Sequence, residues 1–66
     1  MKTRDGYEIE VGMWIEDVNG LYEVKEIHEA DNLVTVNLIE IGDDMESQTI
    51  DTLTKTKEEV TKCRCV

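Results

Sequence analysis

Two cysteines, one histidine and sixteen carboxylates are the side chains of this 66-residue chain that could do chemistry. Cys63 and Cys65, joined by His28 or a carboxylate, offer the sulfur and imidazole donors that suit zinc. The pair does not make a site, because structural zinc sites use four ligands at recognisable spacing and only three Cys or His residues exist here. Two buried thiols in a terminal strand explain it as well. A disulfide between them would be strained, and a redox role lacks the Cys-x-x-Cys geometry or helix N-terminus that lowers a thiol pKa. Asp43-Asp44-Met45-Glu46 gathers hard carboxylate oxygens without the spaced Asp/Asn and glycine of a calcium loop, and reads as a solvated turn. His28 among the carboxylates invites acid–base chemistry. It has no positioned nucleophile and no phosphate-cradling glycine loop beside it, so the expectation is a protein that is not an enzyme and holds no cofactor or metal.

The carboxylates are distributed unevenly. Between Asp5 and Leu53 there are fourteen acidic residues and one basic residue, Lys25, whereas Lys55, Lys57, Lys62 and Arg64 follow in the tail. With a net charge of −9 the chain lacks the basic footprint of a DNA or RNA binder and favours basic partners. Sixty-six residues make one domain, residues 1–66, with one core, and a chain this short buries only ~60% of its unfolded surface. No stretch approaches the roughly 20 apolar residues of a membrane span, and Met1-Lys2-Thr3-Arg4-Asp5 does not open a signal peptide. The expected compartment is the cytoplasm, without membrane contact. Two cysteines two residues apart also argue against a secreted disulfide scaffold.

The elements that must position these groups are strands and turns. Asp5-Gly6 is a turn, after which Ile9, Val11, Met13 and Ile15 alternate over Tyr7 to Ile15 as one strand or two, with a bend at Gly12. Asn19-Gly20 is the pattern of a type I′ hairpin turn, which would pair Val18 with Leu21, Glu16 with Glu23, Ile15 with Val24 and Trp14 with Lys25. Ile15, Val24 and Tyr22 then share the core face, and Trp14, Lys25, Val18, Leu21, Glu16 and Glu23 the other. Ile27 falls out of phase with Val24, and a one-residue bulge near Lys25 and Glu26 repairs this. Ala30-Asp31-Asn32 turns the chain into a long strand from Leu33 to Ile41 with Val34, Val36 and Leu38 on one side. Gly42-Asp43-Asp44 closes it. Ser47 to Thr52 is a weaker strand, Leu53 a core anchor, and Thr56-Lys57-Glu58-Glu59 a capping box for one helical turn. Thr61 to Val66 ends the chain as a strand with Cys63 and Cys65 on one face.

Five short strands with one helical turn before the last predict a mainly β fold, a small five-stranded antiparallel barrel. The runs Val11-Gly12-Met13-Trp14-Ile15, Asn19-Gly20-Leu21-Tyr22-Glu23-Val24-Lys25-Glu26-Ile27 and Val34-Thr35-Val36 resemble the opening of SH3-like small barrels, including Tudor-like and KOW-like domains. That resemblance covers roughly residues 9 to 38 and implies architecture, not site residues. In size and charge the chain also looks like small acidic phage-encoded proteins, which implies the host cytoplasm.

Trp14, Val18 and Leu21 on the face away from the core form the candidate anchor for a protein partner, since Trp is enriched among interface hot spots. The alternative for Trp14 is burial on barrel closure with Lys25 across its ring. Acidity as a solubility device accounts for the acid block. The sharper reading is mimicry of nucleic acid: alternate residues on one strand face lie ~6.6–6.8 Å apart, comparable with neighbouring phosphates, so Glu8 and Glu10, or Glu16 opposite Glu23, would stand in for backbone charges. The sequence therefore leads to a protein-binding module, monomeric or weakly dimeric, with a basic or nucleic-acid-binding protein as partner. An acidic inhibitor of a nucleic-acid-binding enzyme comes second and a Cys63/Cys65 metal or redox module third.

Overall fold

Val34, Val36 and Leu38 alternate with polar residues, a period that places them on one side only if the backbone is extended. In the computed structural model, which describes residues 1–66, they lie on β3, Leu33–Ile41. The other strands are β1 (Trp14–Asp17), β2 (Gly20–His28), β4 (Ser47–Thr56) and β5 (Arg64–Cys65), and a short helix, α1 (Lys57–Thr61), precedes the last. All five form one antiparallel sheet in the order β4-β3-β2-β1-β5, so the molecule is mainly β as the patterning predicts.

The core lies on one side of this sheet. Ile9, Ile15, Tyr22, Val24, Val34, Val36, Val60 and Cys63 form a single buried cluster, with Met13, Ile27, Leu38 and Leu53 packed against it. The expected bulge is present: Val24 pairs with Val36 and Glu26 with Thr35, leaving Lys25 unpaired and returning Ile27 to the core side. α1 begins at a complete capping box. The Thr56 hydroxyl accepts the Glu59 N–H at 3.2 Å, and the Glu59 carboxylate accepts the Thr56 N–H at 3.1 Å. Val60 is thereby set into the core.

Five expectations are corrected. The last strand is Arg64–Cys65 alone and not Thr61 to Val66, because α1 runs on to Thr61. The barrel is not closed, because β4 pairs only with β3 and β5 only with β1. Two residues of β5 cannot bridge both edges, and its outer side is taken by the N-terminal segment: the Arg4 N–H donates to the Cys63 carbonyl at 2.8 Å and the Cys65 N–H to the Asp5 carboxylate at 3.0 Å. The β1–β2 hairpin closes at Asp17 opposite Gly20, so Ile15 faces Tyr22, Glu16 faces Leu21 and Trp14 faces Glu23. Asn19 does not take a positive φ. The run from Tyr7 to Ile15 is regular strand only from Trp14. Gly12, at φ +92°, turns the chain and leaves Val11 exposed. β4 extends to Thr56 instead of ending at Thr52, since Thr54, Lys55 and Thr56 continue the ladder opposite Thr35, Val34 and Leu33.

Candidate protein-interaction surface

Asp17 sets the geometry of the candidate surface. Its carboxylate accepts the N–H groups of Asn19 at 2.8 Å and Gly20 at 3.2 Å and the Tyr22 hydroxyl at 3.3 Å, tying the turn to a core side chain. Asp in the first position and Gly in the fourth is the signature of a type I turn, and this signal in Asp17-Val18-Asn19-Gly20 outweighs the Asn-Gly pair. Gly20 also leaves space that Leu38 uses, because a Cβ there would meet Leu38 Cδ1 at 2.9 Å.

Residues facing each other across antiparallel strands share a side. The face turned away from the core therefore carries one row with Trp14, Glu23, Asn37 and Thr52, and beside it another with Arg64, Glu16, Leu21, Ile39 and Thr49. The first row is linked across three strands. The Thr52 hydroxyl donates to Asn37 Oδ1 at 2.9 Å, and Asn37 Nδ2 donates to the Glu23 carboxylate at 3.4 Å. Trp14 and Leu21 are half-buried on this face, and Ile39 is buried but stands outside the core cluster.

Of the predicted residues, the structure brings Trp14, Glu16, Leu21 and Glu23 together. Val18 belongs to the turn, where it is fully exposed. The Glu8 backbone pairs with Lys2 in an isolated β-bridge and its carboxylate lies 3.6 Å from the N-terminal ammonium, and Glu10 is exposed just before the Gly12 turn, so neither joins the outer face. Glu16 does not oppose Glu23 but pairs with Arg64. Lys25 does not oppose Trp14, since the β1–β2 register places Glu23 across from Trp14. The ring that receives a cation is Tyr22, with Lys55 Nζ 4.6 Å from its centroid.

The tail supplies counter-charges that chain position alone did not reveal. Besides Arg64 with Glu16, Lys57 pairs with Glu29 and Lys62 lies 4.0 Å from Glu58. The Lys57 ammonium holds the Glu29 carboxyl below its usual range. Hydrogen bonds from the Thr56 N–H and hydroxyl do the same for Glu59, and the Thr3 hydroxyl and the Cys65 N–H for Asp5. Glu40, Asp43, Asp44, Glu46 and Asp51, around the β3–β4 hairpin, have no cationic partner. The absence of any basic residue between Lys25 and Lys55 is the sequence signal for them.

Cys63 is fully buried and Cys65 half-buried, both as free thiols. Burial, followed by the Asp17 charge, pushes the Cys63 thiol pKa up, and its Sγ lies 3.6 Å from the Glu59 carbonyl and 3.9 Å from the Asp17 carboxylate, either of which can accept the S–H. His28 lies where β2 meets Leu33 and bonds Thr35 Oγ1 at 2.9 Å, while Cys65 pairs with Ile15 at the other side of the sheet. No group of three or more Cys, His, Asp or Glu side chains is arranged to hold a metal ion. An open cleft of about 450 Å³ lies beside the turn, with Arg4, Lys62 and Arg64 set against Glu16, Asp17 and Glu59, and Val18 is its one apolar wall. No helix is long and apolar enough to cross a membrane. Comparisons with protein-family models, curated proteins and solved structures found no match to this chain.

Proposed function

We propose that this chain is a non-enzymatic, cytoplasmic protein-binding module with an SH3-like arrangement of strands, and that its partner docks on the outer sheet face around Trp14 and Leu21. The return of the last strand to the side of the first, after one helical turn, supports the SH3-like reading. One observation carries the binding reading. The only Trp of the chain stands on the sheet face opposite the core, with Glu23 directly across from it and Leu21 in the adjoining row. An aromatic anchor with the Glu23 carboxylate across from it fits a partner surface with an apolar centre and a basic margin.

A second reading is inhibition of a nucleic-acid-binding enzyme by acidic mimicry, as in a small phage-encoded inhibitor. The unpaired carboxylates of the β3–β4 hairpin favour it, whereas Glu8 and Glu16 are engaged by the N-terminus and Arg64. Affinity capture separates the two. Wild type and a Trp14→Ala/Leu21→Ser variant, both shown folded by circular dichroism, are compared at about 0.1 and 1 M salt, where the Debye length is ~10 and ~3 Å. The expected result is a partner retained by wild type at both salts and lost by the variant. A partner held equally by both proteins and released by salt overturns the Trp14 surface in favour of mimicry.

A further inference from the structure

The two edges of the sheet differ. β5 is two residues long, and the N-terminal segment covers its outer side through the Arg4 and Cys65 amides. β4 is ten residues long, contains no proline, pairs only with β3 and is exposed along most of its length. Such an edge presents a row of unpaired N–H and C=O groups that can template another strand. The Thr52 N–H donates to the carboxylate of its neighbour Asp51, at 2.8 Å. The ladder to β3 is interrupted at Ile50, which is half exposed, and Met45 at the hairpin tip is 82% exposed.

Charge decides what can occupy this edge. Asp43, Asp44, Glu46 and Asp51 lie along its hairpin end without cationic partners. A second copy paired antiparallel would need Lys55 and Lys57 to meet these carboxylates. Lys57 is committed to Glu29 and Lys55 to the Tyr22 ring, so two chains of net charge −9 would repel.

We propose that the free edge of β4 from Ser47 to Thr54 accepts an extended Lys- or Arg-rich segment of another protein as a sixth strand. Its backbone completes the ladder, its cations face Asp43, Asp44, Glu46 and Asp51, and its apolar side chains lie beside Ile50. β3 and β2 stand between this edge and Trp14 on β1.

The probe is a synthetic peptide of alternating Lys and Val as long as β4, read by amide chemical shifts and hydrogen exchange of the whole chain. A second peptide carries the same side chains but N-methyl groups on alternate backbone nitrogens, which keeps the charge and blocks the ladder. The expected result is slowed exchange at β4 amides with the first peptide and affinity weaker by about tenfold, near 1.4 kcal/mol, with the second. A Thr52→Pro variant that remains folded shows a similar loss, and Asp43→Asn/Asp44→Asn weakens binding by roughly two- to fivefold. Trp14→Ala leaves peptide binding unchanged, which keeps this result apart from the fate of the Trp14 surface. Equal affinity for the N-methylated peptide, perturbation centred on Trp14, or a concentration-dependent dimer that protects the same β4 amides without peptide overturns the proposal.

Discussion

Asp17 ties the β1–β2 turn to the core. It terminates β1, accepts two turn amides and holds the Tyr22 hydroxyl. Removing it returns the exposed Asn19 amide to solvent and takes the carboxylate acceptor from the hydroxyl of Tyr22, whose ring is almost wholly buried. Asp17→Ala is therefore expected to lower stability by about 1–3 kcal/mol, read from urea midpoints. Asn19→Ala is expected to stay within about 0.5 kcal/mol of wild type, since Asn19 is exposed and takes no positive φ. The reverse order of these two effects would restore the type I′ register.

At the scale of elements, α1 has only five residues and depends on its cap, because so short a helix is not stable alone. Thr56→Ala is expected to cost about 1 kcal/mol in chemical denaturation. The Glu59 half of the same box makes a pH prediction. Its folded pKa is lowered by the Thr56 hydrogen bonds, so its stabilisation is complete above the unfolded value of roughly 4.3 and is lost as pH falls through the folded value. Wild type should therefore melt above Glu59→Gln at neutral pH, and the gap should shrink once pH falls below the unfolded value of roughly 4.3 and vanish only below the lowered folded value. A gap independent of pH would show that the carboxylate charge plays no part in the cap.

For the whole molecule, long-range charge matters less than local pairing. The chain extends 38 × 22 × 19 Å, while the Debye length is ~8 Å at physiological ionic strength, so basic and acidic groups at opposite ends scarcely attract each other. Arg64, Lys57 and Lys62 relieve the carboxylates they touch, but the β3–β4 hairpin has no such relief. Added sodium chloride is expected to raise the melting temperature from its low-salt value. Asp43→Asn/Asp44→Asn should raise it at low salt and add little once repulsion is screened. A melting temperature that falls with salt would mean that the tail's ion pairs outweigh the hairpin's repulsion.

Alternation along a strand determined which residues face the core, and tertiary contacts decided where strands meet and which charges pair. The β1–β2 register illustrates the difference. Moving the partner of Ile15 from Val24 to Tyr22 is a slip of two residues, and a period of two leaves every side chain on its face, so the core assignment survives a wrong pairing. Local patterns were equally legible: the Lys25 bulge restores a phase visible in Val24 and Ile27, and the capping box is contained within Thr56 to Glu59. The candidate surface was legible only in part, because Trp14 with Leu21 follows from parity while the engagement of Glu16 depends on Arg64, 48 residues away in the chain. The free edge of β4 and the unclosed sheet arise in the same way. Both depend on how far β5 reaches and on the N-terminal segment occupying its outer side, contacts that no local period encodes.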